Sequence, residues 1–507
     1  MTPQQFWILI AMVVYLLLVI GIGLLYSRRN KKSEDFFLGG RSLGPWVTAM
    51  SAEASDMSSW LLMGLPGLAY LTGLGEAGWT AVGLALGTYL NWRLVSRRLR
   101  RYSLVAGNSF TLPDFFSNRF HDKKKILMSI SAVFILIFFT VYTASGFVAS
   151  GRLFESLFGF DYVTMMIVSA AVIVFYTTLG GFLAESSTDF IQGILMSISL
   201  VVILIGGVIY AGGIDAVIDN ARSMPGFLDW FAVHNPTDNT AVSYNPLNVI
   251  SALAWGLGYF GMPHVLLRFM AIKNSSMLKK SRIIAVIWVL ISLTAAVLIG
   301  LIGAAVFPGL LTGSDSERIF IRMSTTLLPP ILAGVILSGI LAATMSTSDS
   351  QLLITSSAIS QNFFKGVLKK NASERQVMWV SRLTVILVAI AAAILAINPS
   401  GSIFKIVSHA WAGFGATFGP LILCSLFWKR TTFKGALAGM LSGGISALLW
   451  PEILFPLGGV FAVYELLPAF IISLIFIIVV SLLDKKPSAE IVMEFETARA
   501  SDDVSPL

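Results

Sequence analysis

The stretch SAEASDMSSWLLMGLPG, Ser51 to Gly67, decides how this chain is read. It lies inside a long apolar segment, yet it places Glu53 and Asp56 three residues apart. A charge at the centre of a membrane helix costs roughly 2.5–3.5 kcal/mol even on the more lenient insertion scale. Something in the surroundings must offset that cost, and the polar mid-span residues, with Pro66 towards one end, mark this segment as a broken helix.

The rest of the chain supplies the membrane. Of its 507 residues, 56% are hydrophobic and 12% charged, where soluble domains carry about 25% charged residues. Runs such as FWILIAMVVYLLLVIGIGLLY (6–26) and FIISLIFIIVVSLL (470–483) recur throughout, and a helical span needs roughly 20 apolar residues. The chain therefore reads as an all-α polytopic membrane protein. The first run is too long for a cleaved signal peptide and lacks a small-residue cleavage site. About thirteen spans are expected, near 6–26, 45–71, 75–95, 126–149, 162–182, 190–211, 246–270, 283–306, 329–360, 376–398, 403–427, 432–452 and 462–483. This organisation implies a first helix and loop over 1–44, a ten-helix core over 45–427, two further spans over 428–483 and a tail over 484–507.

The net charge of +8 does not point to nucleic acid, because the basic residues sit in short loops. SRRNKK, RRLRR, DKKK, KNSSMLKKSR, KGVLKKNASER and WKRTTFK all fall on one side if the amino terminus is outside. Only Arg152, Arg222, Arg318, Arg322 and Lys405 are assigned elsewhere. Positive-inside bias then puts the amino terminus out and the carboxyl terminus in the cytoplasm. Cys424 is the sole cysteine, so no intramolecular disulfide forms, and the four histidines lack metal-ligand spacing. No nucleophile–base set appears, which argues against an enzyme.

A second span is also interrupted. NVISALAWGLGYFGMPHVLLRFM (248–270) carries glycines and Pro263 in its middle, which free backbone carbonyls and amides to bind a ligand. The two broken spans lie five apart. A five-span unit repeated once returns inverted, the plan of many secondary transporters, with a site at mid-membrane. GLGYFG (256–261) matches the spacing of a dinucleotide loop, but that fingerprint requires a soluble βαβ unit. Helix interruption explains it here. GLALG (83–87) has the spacing for close helix packing within the monomer.

ILAATMSTSDSQLLITSS (340–357) is dense in hydroxyls for a membrane helix. Such hydroxyls often bond back to their own helix, yet adjoining Ser346 and Thr347 also suit a hard cation that seeks several oxygens. Asp56, with no base in its own span, reads as ion-related. Glu53 could share the ion site, carry a proton or face internal water. Tyr142, Trp255 and Tyr259 are candidate ligand contacts. Glu185 and Asp189 are either solvated loop charges or part of an ion exit path.

Longer segments carry a resemblance. FFLGGRSLGPWVTAMSAEASDMSSWLLMGLPG (36–67), TLPDFFSNRF (111–120), FFTVYTASGFVASGRLFESLFG (138–159), WGLGYFGMPHVLLRFM (255–270), ILAATMST (340–347) and AWAGFGATFGP (410–420) occur in the order found in the sodium/proline symporters of the sodium:solute symporter family. The chain resembles that family over most of its length. The resemblance implies a leucine-transporter-like fold, thirteen spans with a five-plus-five inverted repeat. It implies sodium-coupled import of L-proline, or a close amino-acid relative, across the cytoplasmic membrane by alternating access. Sodium is then the coupling ion, with no organic cofactor, and the partners are proline, sodium and membrane lipid. The implied sodium site uses the backbone oxygens of Ala54, Met57 and Ala343 and the hydroxyls of Ser346 and Thr347. Asp56 supports tight sodium binding, with Ser58 its neighbour on the break, and Asp189 aligns with an acid near a second sodium site. Proline contacts are implied at Trp60, Tyr142, Trp255, Tyr259 and Pro263, and Arg41 matches a cytoplasmic loop arginine. This chain departs from the family's pattern at Glu53 and Ser59, where glycine is usual, and at Met262, where glutamine is usual. Two other readings stand beside this one: a proton-coupled carrier with Glu53 as the titrating group, and a solute sensor that does not transport. Sensors of this build resemble carriers with an added signalling domain, and the stretch after Asp484 is shorter than the roughly 50 residues a soluble domain takes.

Overall fold

A computed structural model describes residues 1–27, 33–398 and 401–500. The basic residues at 28–32 and the end of the tail, 501–507, lie outside the described residues. The chain opens with the apolar α1 (Pro3–Ser27) and a short α2 (Ser33–Leu38). Then comes α3 (Pro45–Ser59), which runs through a wide π turn at Trp60–Gly64 into α4 (Leu65–Thr72). Pro66 sits in the first turn of α4, where a missing amide is tolerated. α5 (Leu74–Leu90) passes through another π turn into α6 (Ser96–Val105), followed by α7 (Leu112–Arg119), whose first turn is capped by Thr111. α8 (Ile126–Phe158) precedes α9 (Tyr162–Tyr210), which is broken at Gly181 (φ 66°, ψ 178°).

The middle of the chain crosses a short α10 (Ile214–Ser223) and an antiparallel hairpin of β1 (Ala232–Asn235) and β2 (Thr240–Ser243), with Ala232 opposite Ser243. α11 (Pro246–Leu253) tightens into a 3-10 turn at Ala254–Phe260 before α12 (Pro263–Ala271). After α13 (Leu278–Val306), a 3-10 turn at Gly313–Arg318 leads into α14 (Ile319–Leu327). α15 (Pro330–Ser357) and α16 (Glu374–Ala396) follow, the latter opened by a Ser373–Gln376 capping box. The remaining helices are α17 (Ile403–Phe427), α18 (Phe433–Leu449), α19 (Leu466–Leu483) and α20 (Ala489–Ala500).

Among the described residues, nine helices are long and apolar enough to cross a membrane, or ten when Pro246–Phe260 and Pro263–Ala271 are taken as one span bent by 42°. The other three expected spans are helical but do not meet that length and apolarity. α3 and α4 are separated by the break, α5 is diluted by polar residues, and Tyr162–Thr178 is a shorter apolar segment ahead of Gly181. The molecule is a multi-pass membrane protein with its most enclosed helices at the centre. The apolar windows of α15 and α17 are 83% and 89% buried, against 22% for α1. α5 lies directly on the bent span: a Cβ on Gly87 would come within 2.3 Å of the Gly256 carbonyl oxygen. That contact places GLALG against the break and lets the 3-10 turn sit deep in the bundle.

Candidate functional site

α3 breaks at Ser58, whose φ of 50° and ψ of −172° leave helical geometry inside a buried span. A non-glycine residue with positive φ is uncommon, and such strain clusters at ligand sites. The Ser58 hydroxyl accepts the Trp60 amide at 3.1 Å, and Trp60 N–H also reaches the Met57 carbonyl. The hydroxyl of Tyr142, on α8, donates to the Asp56 carbonyl oxygen at 3.0 Å. α15 crosses beside this break. Ser346 Oγ donates to the Ala54 carbonyl oxygen at 2.9 Å and lies 3.2 Å from the Ala343 carbonyl oxygen. Thr347 Oγ1 is buried and makes no hydrogen bond among the described residues. The Ser346 hydroxyl thus meets carbonyl oxygens of two helices in one buried crossing, with the buried Thr347 hydroxyl next to it in sequence, oxygen atoms of the kind a hard monovalent cation takes.

The carboxylates of the break part company. Asp56 Oδ1 faces His264 Nε2 on α12 at 3.5 Å, both side chains buried. Glu53 Oε1 accepts from Trp92 Nε1, just beyond α5, at 2.8 Å. His264 has no metal-ligand spacing to mark it in the sequence. The signal available was its position directly after Pro263 in the interrupted span. Ser59 and Met262, the other two departures, are fully buried.

Towards one end the break opens onto aromatic rings. Trp60 and Trp255 lie 5.4 Å apart, and Phe404 packs on both, at 5.7 and 5.1 Å. Tyr464 stacks on Trp255 at 5.1 Å, Tyr259 meets Trp411 edge-on at 5.1 Å, and Trp411 Nε1 donates to the Trp255 carbonyl oxygen at 2.8 Å. Pro263 is buried in the first turn of α12. A vestibule of about 310 Å³, lined by Trp255, Phe404, Tyr464, Ser251 and Glu76 among others, reaches down to these rings. Phe404 and Tyr464, from α17 and the approach to α19, carried no sequence signal, and Trp411 was marked only by its place in the matched segment AWAGFGATFGP.

Towards the other end lies a buried ionic cluster. Arg268 Nη2 contacts Glu185, Asp189 at 3.2 Å and Ser350 Oγ at 2.7 Å, while its Nε donates to Ser51 Oγ at 3.1 Å. Ser51 in turn donates to Asp189 at 2.7 Å. Two sequence expectations are corrected here. Glu185 and Asp189 are not solvated loop charges but buried acids, and Arg268, grouped with the loop bases, is fully buried between them. Burying a charged arginine is costly unless carboxylates pair with it, and α9 supplies two. Asp189 therefore sits with Arg268 and Ser51, apart from the Ser346–Ala54 crossing, although Ser350 Oγ links the two groups by donating to the Ser346 carbonyl oxygen at 2.9 Å. Arg41 lies nearby, donating to the carbonyl oxygens of Met270 and Ser109 at 2.6 and 2.7 Å.

The two broken helices, the deep crossing and the flanking clusters define a leucine-transporter-like membrane carrier. Three solved structures share the fold. A sodium-coupled sialic acid symporter in a substrate-bound outward-open state gives a TM-score of 0.77 at 20% identity, covering 95% of this chain and 99% of that one. A nucleobase-cation-symport-1 transporter in a closed conformation gives 0.52 at 13% identity, covering 92% and 99%. MhsT in complex with L-phenylalanine gives 0.50 at 14% identity, covering 86% and 97%. The sequence profile of the sodium:solute symporter family matches residues 36–443. The sodium/proline symporter of Escherichia coli (strain K12) is 44% identical over 497 residues, 97% of this chain and 96% of that protein. The sodium/proline symporter of Staphylococcus aureus is 43% identical over 502 residues, 98% and 96%. This chain belongs to the sodium:solute symporter family.

Proposed function

We propose that this protein imports L-proline across the cell membrane together with sodium, by alternating access, with its amino terminus outside and its carboxyl terminus in the cytoplasm. The observation that carries the reading is the crossing of α3 and α15, where the Ser346 hydroxyl meets the Ala54 carbonyl beside the unpartnered Thr347 hydroxyl. Sodium takes the oxygens of Ala54, Met57, Ala343, Ser346 and Thr347, and its charge supports Asp56. Holding α3 to α15 shapes the region of Trp60, Tyr142, Trp255, Tyr259 and Pro263 for a small, partly apolar zwitterion. Ligand binding then favours closure over the vestibule and opening at the Arg268 end. Each sodium falling through 100 mV contributes about 2.3 kcal/mol, which is nearly fiftyfold in accumulation. Proline import agrees with the near full-length identity to sodium/proline symporters from two organisms.

The test is equilibrium binding of labelled proline to the purified protein, with and without sodium, against an amino-acid competition panel. Sodium should tighten proline binding, and proline should outcompete other amino acids. Binding indifferent to sodium, or preference for another solute, would contradict the proposal.

A further inference from the structure

A second concavity lies outside the transport path, on the outer surface of the bundle. It is a groove of about 550 Å³ between α3, the second half of α9 and α13, walled by Trp46, Met50, Ile194, Ile198, Ile287 and Trp288. The walls are apolar and open to the membrane: Trp46 is 53% exposed, Ile198 49% and Ile287 53%. One cation lines it. Lys280, in the first turn of α13, holds its Nζ 5.9 Å from the centre of the Trp46 ring and makes no ion pair among the described residues. The floor of the groove reaches the cation crossing. A Cβ on Gly193 of α9 would lie 2.8 Å from Met50 Cε and 3.4 Å from Ala54 Cβ, and Trp288 Nε1 donates to the Gly193 carbonyl oxygen at 3.4 Å.

We propose that this groove binds an anionic phospholipid, one acyl chain lying along α9 and α13 and the headgroup phosphate on Lys280. Charge complementarity selects the occupant. A neutral chain would fill the apolar walls equally well, but the unpaired lysine at one end favours a headgroup of negative net charge. Lys273, Lys279 and Arg282 follow or precede it in the same stretch of chain, so the headgroup lies at the basic end of the molecule, where the anionic leaflet surface attracts such residues. Because Met50 and Ala54 share the face that meets Gly193, an occupied groove bears on the α3 segment that supplies the Ala54 carbonyl.

Direct binding tests this. Purified full-length protein in phosphatidylcholine nanodiscs is titrated with phosphatidylglycerol or phosphatidylcholine carrying brominated acyl chains. The quenching lost in Trp46→Phe reports the groove. Half-maximal quenching should occur at about a fivefold lower mole fraction for the anionic lipid, the equivalent of ~1 kcal/mol per lysine near such a surface. Lys280→Gln should remove that preference while leaving quenching by both lipids. Ser197→Phe, which fills the groove without touching its charge, should abolish the Trp46 component. Inorganic phosphate should not compete. Equal quenching by the two lipids, an undiminished preference in Lys280→Gln, or displacement by inorganic phosphate overturns the proposal, leaving annular lipid or a simple anion site. Sodium-dependent thermal stability confirms that each variant is folded, and none of these readings depends on which solute the protein carries.

Discussion

At the scale of single residues, the adjoining hydroxyls of α15 make separable contributions. Thr347 Oγ1 is buried without a partner among the described residues, so Thr347→Ala should leave sodium-free thermal stability unchanged or slightly raised. If the hydroxyl coordinates sodium, losing it costs of order 1–3 kcal/mol, and half-maximal sodium should rise about five- to a hundredfold. Ser346→Ala differs, because Ser346 also bonds Ala54 across the helix crossing. It should lower stability by about 1 kcal/mol as well. Sodium titrations and melting curves on the two variants distinguish a ligand role from a packing role. The acids divide in the same way. Glu53→Gln keeps an oxygen for Trp92 Nε1 and should retain most transport, whereas Glu53→Leu strands a buried donor and should lower stability by about 1–3 kcal/mol. Asp56→Asn should abolish sodium-driven uptake. The reverse result, transport lost in Glu53→Gln and kept in Asp56→Asn, would favour proton coupling through Glu53.

At the scale of elements, the bent span depends on backbone approach that only glycine permits. Gly87→Ala would drive a methyl into the Gly256 carbonyl at 2.3 Å. Backbone cannot yield as a flexible side chain can, so the yield of folded protein and the melting temperature should fall, at a cost of about 1–3 kcal/mol or more. Detergent-solubilised size-exclusion profiles measure this directly. The breaks themselves were legible in the sequence, because polar residues, glycine and proline in apolar runs have a local physical meaning. Their partners were not. Ser346 meets Ala54 across 292 residues of chain and Arg268 meets Glu185 across 83. No local pattern encodes such pairings. Phe404 reaches the vestibule from the first turn of α17 and Tyr464 from the approach to α19, within stretches that read as plain spans. The broken segments could be named from the sequence, while the His264 and Arg268 partners appeared only with the fold.

At the scale of the whole molecule, two buried ionic groups bracket the crossing. Arg268 ties α3, α9, α12 and α15 together on one side. On the other, Arg152 of α8 pairs with Glu317 at 2.6 Å, and Glu317 also accepts the amides of Ile403 and Phe404, both at 2.9 Å, at the start of α17. A carboxylate there satisfies donors that a helix N-terminus leaves unpaired. It also fixes Phe404 over Trp60 and Trp255. Glu317→Ala should release that ring. A cysteine placed at Ser59, in a Cys424→Ser background, should then react several-fold faster with a membrane-impermeant thiol reagent, and an unchanged rate would remove Glu317 from control of access. Coupling itself is the property that the crossing, the aromatic rings and the two ionic groups together must produce. Uptake of labelled proline into proteoliposomes under an inward sodium gradient, at fixed pH, tests it most directly. Accumulation should need sodium, rise with an inside-negative potential and be lost in Asp56→Asn. Equal accumulation without sodium, driven by a proton gradient, would contradict sodium coupling.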